Sequence, residues 1–104
     1  MNNINLIGKI SSDPKVIELS DGKKIVQFSL ATKESYLDEA GNVKNKKQWH
    51  RISAWGNWVR VMEELGQKGL NLAVEGRLKS RFYQTSSGER RQVTEVEVND
   101  LIIL

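Results

Sequence analysis

Hydrophobic and polar residues alternate along much of this chain, which is the period-two pattern of half-buried β-strands. Val26, Phe28 and Leu30 show it most clearly, because small or polar residues stand between them. An earlier strand is predicted at Ile4–Ile10, where Gly8 indicates a bulge or a close backbone approach. Turns are predicted at Ser11–Pro14 and Ser20–Lys23, on either side of an extended segment at Val16–Leu19.

The pattern changes twice in the middle of the chain. Glu34–Gln48 is a polar excursion with Asp38–Asn42 at its tip, which predicts a long hairpin reaching out of the domain. A third strand is predicted at Trp49–Trp55. A short helix is predicted next, from an apolar stripe that begins after a candidate N-cap and ends at a glycine. The stripe is Trp58, Val61, Met62 and Leu65, the N-cap is Asn57, and the closing glycine is Gly66 or Gly69.

Two further strands complete the chain, at Leu70–Tyr83 and Arg91–Val98, with a turn at Thr85–Gly88 between them. Three strands, one helix and two strands is the order of the OB-fold. The sequence therefore predicts an all-β, five-stranded OB-fold Greek-key barrel with one short helix between strands 3 and 4. The whole chain, 1–104, is predicted to be one such domain. Its last residues, Leu101–Leu104, are expected to pack against the barrel or a neighbouring subunit.

The third strand carries the candidate chemistry. Its two faces are Trp49, Arg51, Ser53 and Trp55 on one side, and His50, Ile52 and Ala54 on the other. The second set is apolar and small enough for a barrel interior, so the face with the two tryptophans is predicted to be exposed. The alternative is that both indoles are core, which is the usual fate of a large aromatic side chain. Trp58 is predicted to be core, because it lies on the apolar helix stripe.

The fourth strand repeats this mixture of rings and cations. Its polar face holds Arg77, Lys79, Arg81 and Tyr83. An unpaired nucleic acid strand exposes both the flat faces of its bases and its phosphates, so it is bound by aromatic rings and positive charges side by side. The two strands therefore predict a surface that binds single-stranded nucleic acid.

The distribution of charge favours the same partner. Residues 40–62 hold five Lys or Arg and no acid, and residues 76–94 hold five more against one acid. These stretches carry +9 while the remainder carries −6, which gives the net charge of +3. So strong a polarisation suggests a polyanion, although solvation of exposed strands would explain the cations equally well.

Composition excludes several other classes. The chain has one histidine and no cysteine, so no disulfide, thiolate metal site or nucleophile–base pair is evident, and no enzyme activity, cofactor or metal is expected. No apolar run approaches the length of a membrane span. Met1–Leu6 lacks the features of a signal peptide, so a cytoplasmic, nucleoid-associated protein is expected.

Several motifs resemble the bacterial single-stranded DNA-binding protein family over essentially the whole chain. They are Asn5-Leu6-Ile7-Gly8-Lys9 with Asp13-Pro14, Phe28-Ser29-Leu30-Ala31-Thr32 before Glu34-Ser35-Tyr36, Trp49-His50-Arg51 running to Trp55-Gly56, Lys68-Gly69, Val74-Glu75-Gly76 with Leu78, and Thr94-Glu95-Val96. The resemblance implies an OB fold, a homotetramer and a role in DNA replication, recombination and repair. It places base-stacking rings at Tyr36, Trp49, Trp55 and Tyr83. With seven of the ten cations of the two basic stretches, the expected site is Tyr36, Lys44, Lys46, Lys47, Trp49, Arg51, Trp55, Arg77, Lys79, Arg81 and Tyr83.

The sequence departs from the family at its end. Members commonly continue into a flexible linker with an acidic tip that recruits replication and repair proteins, whereas this sequence stops with the last strand. Partners recruited through such a tail are therefore not expected for this chain.

Other interpretations stay open from the residues alone. An OB-fold protein that binds RNA would use the same stacking and phosphate contacts, and an OB module for primosome-type assembly would lack the tryptophan pair. Gly66–Gly69 matches the GXXG loop of KH domains. Because it separates a helix from a strand, it is interpreted as a C-cap and turn.

Overall fold

The computed structural model describes residues 2–104. Its strands are β1 Ile4–Ile10, β2 Lys15–Glu18, β3 Lys24–Leu37, β4 Val43–Trp55, β5 Asn71–Gln84 and β6 Arg90–Ile103, and its helix is α1 Asn57–Leu65. The predicted excursion is a hairpin formed by the outer halves of β3 and β4. At its tip, the Asp38 carboxylate accepts a hydrogen bond of 2.8 Å from the backbone N–H of Asn42.

The strands close into a barrel. The order around it is β1-β5-β6-β4-β3, and β1 pairs with β3 as well as with β5. All pairings are antiparallel except β4 with β6, which are parallel at Ile52 and Ser53. The predicted five-stranded OB-fold barrel is confirmed, with β2 as a short additional strand that pairs only with β3.

Closure depends on the place where β1 changes partners. Ile4–Lys9 pairs with β5, and Lys9–Ile10 pairs with β3. A Cβ atom at Gly8 would collide with the backbone carbonyl oxygen of Ala31. The close backbone approach predicted at Gly8 is therefore real, and it lets one strand join both sides of the barrel.

The core lies inside the barrel and beneath the helix. Its buried members are Ile10, Val26, Phe28, Leu30, Ile52, Ala54, Val59, Met62, Leu72, Val74, Val96, Val98 and Leu101. Trp58 is half-buried and packs against this core, in line with its predicted role. The last strand is longer than predicted. Its continuation buries Leu101, whereas Ile102 and Leu104 are largely exposed and Ile103 is about one third exposed within the single chain.

Two details of the predicted helix are wrong. Val59 is buried and Leu65 is exposed, so the inward face is rotated from the predicted stripe. The N-cap is Gly56 rather than Asn57, which is the first helical residue. The φ of Gly56 is 63°, a conformation that glycine adopts without the steric penalty of a Cβ atom. The helix ends at Gly66, whose N–H donates to the Met62 carbonyl, as the C-cap interpretation of Gly66–Gly69 predicts.

Two features are absent from the described part of the chain, residues 2–104. None of its helices combines the length and apolarity needed to cross a bilayer. No cluster of three or more His, Asp or Glu side chains is arranged to hold a metal ion.

Candidate functional site

Trp49 stands on the outer surface of the barrel with about 63% of its area exposed. Its partner on β3 is Ala31, and the partner of Ala31 on β1 is Lys9. Directly paired residues share a face of the sheet, so the small Ala31 side chain leaves room beside the indole. The ammonium of Lys47 lies 5.8 Å from the centroid of the Trp49 ring, within the range of a cation–π contact.

A cleft of about 640 Å³ opens beside this ring, and we call it the Trp49 cleft. Four lysines line it: Lys9, Lys33, Lys47 and Lys68. They come from β1, β3, β4 and the loop after α1, and only Lys47 was predicted as a site residue. The other three lie outside the two basic stretches, so their signal in the sequence was weak. The closed barrel is what brings them together.

The rest of the predicted ladder on β4 is only partly exposed. Arg51 is exposed, but Ser53 is buried and Trp55 is half-buried. β6 runs beside β4 at Ser53 and pairs it with Glu97, which accounts for the burial of Ser53. Trp55 instead borders a second cleft of about 380 Å³ that includes Lys23, Lys24 and Arg60. The two tryptophans therefore occupy separate recesses, about 20 Å apart along the strand.

The cations of β5 are exposed but paired with acids of β6. We call Arg77, Lys79 and Arg81 the basic row, and Glu95 and Glu97 the acidic pair. Arg77 Nη2 and Lys79 Nζ each lie 3.0 Å from a carboxylate oxygen of Glu97. Arg81 Nε lies 3.4 Å from Glu95 Oε1.

The ionisation of Glu97 follows from these contacts. Burial by itself would raise its pKa, but the hydrogen bonds and positive charges of Lys79 and Arg77 outweigh burial and hold the pKa below its usual value. Glu97 is therefore a carboxylate at neutral pH. Glu95 is also buried, and it accepts a long hydrogen bond of 3.5 Å from Gln27 Nε2.

The two tyrosines lie on the hairpins, away from Trp49. Tyr83 is exposed near the outer end of β5, opposite Arg91. Tyr36 is exposed on the β3–β4 hairpin, opposite Lys44.

The four predicted rings consequently do not form one patch. Tyr36 and Trp49 are on opposite faces of the β3–β4 hairpin. The continuous register places Ala31 beside Trp49, and Tyr36 lies five positions after Ala31, an odd offset that puts it on the other face. Lys44 and Lys46 share the face of Tyr36, whereas Lys47 shares the face of Trp49. The structure thus unites Trp49 with Lys47 and the basic row with Tyr83.

Comparison with known proteins places the chain among its relatives. A model of the single-strand binding protein family matches residues 1–104. The chain is 34% identical to single-stranded DNA-binding protein 1 of Chlorobaculum tepidum, over all of this chain and 65% of that protein, and 32% identical to the Xylella fastidiosa protein of the same name, over 77% of it. It thus spans just under two thirds of the Chlorobaculum relative.

Solved structures give the same picture. The chain superposes on a Plasmodium falciparum SSB in complex with ssDNA with a TM-score of 0.88 and 36% identity, covering all of this chain and 95% of that one. It superposes on a deletion mutant of the single-stranded DNA binding protein from Thermus aquaticus with a TM-score of 0.87 and 25% identity, covering half of that chain. With the family match over every residue, these likenesses show that the chain belongs to the single-strand binding protein family.

Proposed function

We propose that this protein binds single-stranded DNA with little sequence preference and protects exposed strands during replication, recombination and repair. The observation that carries the proposal is the Trp49 cleft, where an exposed indole stands among four lysines. A base stacks on the ring while the flanking phosphates contact the ammonium groups. Membership of the single-strand binding family and the likeness to an SSB in complex with ssDNA support it.

The proposed DNA path runs over the outer surface of the barrel. It starts at the Trp49 cleft and continues along β4 past Arg51 to Trp55, where Lys24 and Arg60 offer further phosphate contacts. The basic row and Tyr83 extend the surface onto β5. Tyr36, Lys44 and Lys46 serve a strand that passes over the other face of the β3–β4 hairpin. Such binding involves no catalysis and needs no cofactor. The protein would carry it out in the cytoplasm, beside the nucleoid.

The direct test is a comparison of single strands with duplex. We expect a single-stranded oligonucleotide to quench tryptophan fluorescence at much lower protein concentration than a duplex of the same sequence, because paired bases cannot stack on Trp49. Affinity should fall with added salt, with a slope in log K against log salt of about −0.7 for each phosphate neutralised. Equal affinity for both forms at moderate salt would contradict the proposal.

Competition with an RNA oligonucleotide of matched sequence distinguishes a DNA-binding protein from an RNA-binding one. If RNA displaces the bound DNA preferentially, the protein is an RNA-binding OB protein and the DNA proposal is wrong.

We also propose that the protein assembles as a homotetramer. Ile7, Ala73 and Ile102 form a continuous row across β1, β5 and β6, and the two isoleucines are largely exposed in the single chain. A small barrel buries a limited share of its surface, so covering this row with a second copy adds apolar burial that the single chain lacks.

Light scattering on Ile102→Glu tests this interface. The charge is expected to lower the molecular mass of the assembly, while circular dichroism stays that of a folded barrel. Leu37→Glu is the matched control, because Leu37 is equally apolar and exposed but lies near the hairpin tip. A wild-type protein that is monomeric at micromolar concentration would refute the assembly, and an unchanged mass for Ile102→Glu would refute this surface.

A further inference from the structure

The acidic pair on β6 lies beside the basic row of β5, on the same outer face of the barrel. We propose that Glu95 and Glu97 act as internal counter-anions: they compete with DNA phosphates for the basic row and so weaken single-strand binding and lower its salt dependence. This inference rests on the proposed DNA path over β5. On this proposal the two acids control the affinity for DNA through the cations that they pair with, and they do not attract DNA themselves.

Strand register shows how closely the two sets are matched. Arg77 is directly opposite Glu97, to which it is bonded. Lys79 is directly opposite Glu95, yet its ammonium reaches diagonally to Glu97. Arg81 is opposite Val93 and likewise reaches diagonally, to Glu95. All three cations therefore extend toward the acids. Lys79 and Arg81 do so by reaching along the hairpin to an acid that is not directly opposite.

The acids are held in place by the barrel, whereas the cations are free to face solvent. The side chains of Glu95 and Glu97 are only 7% and 14% exposed, and those of the basic row are about half exposed. Gln27 donates to Glu95, and Ser53 stands beside Glu97. A carboxylate with so little exposure stays beside the basic row when a strand arrives, so its charge continues to oppose the phosphate.

The charge of the basic row is thereby largely cancelled. Three cations face two carboxylates, which leaves a net charge of about +1 where the sequence alone suggests +3. The Trp49 cleft differs, because within residues 2–104 none of its four lysines lies within 4.0 Å of a carboxylate oxygen. The lysines of the cleft should therefore neutralise most of the DNA phosphates and so release most of the counterions condensed on the DNA, whereas β5 should contribute stacking and hydrogen bonds with little net charge.

The test is to neutralise one acid without changing its shape. In Glu97→Gln, Arg77 and Lys79 lose their carboxylate, and the full positive charge becomes available to phosphate. We expect the salt slope for single-stranded DNA to steepen by about 0.7, which makes binding about fivefold tighter at 0.1 M salt and little different near 1 M. Glu39→Gln is the matched control, since Glu39 is an exposed acid at the tip of the β3–β4 hairpin and, within residues 2–104, no Lys or Arg nitrogen lies within 4.0 Å of its carboxylate. It removes the same charge and should change the slope much less.

A second comparison decides the matter even if Glu97→Gln folds poorly. Lys79→Gln, which removes a cancelled charge, should reduce the salt slope far less than Lys47→Gln, which removes an uncancelled one. Equal losses from these two variants, an unchanged or shallower slope for Glu97→Gln, or equal steepening by Glu39→Gln would overturn the inference. A wild-type protein with no preference for single strands would instead refute the proposed function, so the two failures are distinguishable.

Discussion

Trp49→Ala is expected to weaken single-stranded DNA binding by about 1–3 kcal/mol, which corresponds to roughly five- to 150-fold in Kd. That range per stacked base is the one found by alanine substitution in OB-fold proteins of this same family. Trp49 is the exposed ring in the cleft with four lysines, and its removal takes away the stacking surface while leaving the phosphate contacts. The salt slope should therefore stay near that of the wild type. Fluorescence anisotropy of a labelled oligonucleotide measures both quantities.

Trp58→Ala is the natural control for this variant. Trp58 is half-buried and packs against the core, so its loss should lower the melting temperature and leave the affinity of each folded molecule unchanged. Trp49→Ala should show the opposite pattern, with a near wild-type melting temperature. If Trp49→Ala melts far below the wild type but binds normally when folded, the indole is a packing residue and the proposed site is wrong.

Gly8→Ala is expected to lower the free energy of unfolding by about 1–3 kcal/mol. The added methyl group would collide with the backbone carbonyl of Ala31, and a backbone atom inside a paired strand cannot swing away as a flexible side chain can. The strain falls where β1 passes from β5 to β3, so the barrel would open or shift at the edge of the Trp49 cleft. Urea denaturation followed by circular dichroism measures the loss.

Asn5→Ala provides the comparison on the same strand. Asn5 is exposed and pairs regularly with Glu75, so its truncation should change the unfolding free energy by less than about 0.5 kcal/mol. A Gly8→Ala protein as stable as Asn5→Ala would mean that β1 and β3 can separate at no cost, which contradicts the closure described above.

The predicted site shows where sequence reasoning reached its limit. Period two assigned Trp49 and Trp55 to one face of β4, and that assignment agrees with the structure. Exposure could not be assigned in the same way, because Ser53 is buried where β6 pairs with β4 and Trp55 is half-buried beside the second cleft. Tyr36 illustrates a second limit: its face relative to Trp49 depends on the register of β3 against β4, which a hairpin with a tip of unknown length leaves open.

The sequence by itself determined features that can be recognised in short segments. They are the order of strands and helix, the alternation that separates core from surface, the close approach at Gly8, and the motifs of the family. The first three follow from periodicity and from the conformational limits of single residues, which need no knowledge of distant parts of the chain. The family motifs are recognised by their resemblance to known sequences. Only the tertiary structure decided that Lys9, Lys33 and Lys68 gather around Trp49, and that Glu95 and Glu97 offset the basic row. Both arrangements join strands far apart in sequence, and the distances that govern their electrostatics exist only once the barrel has closed.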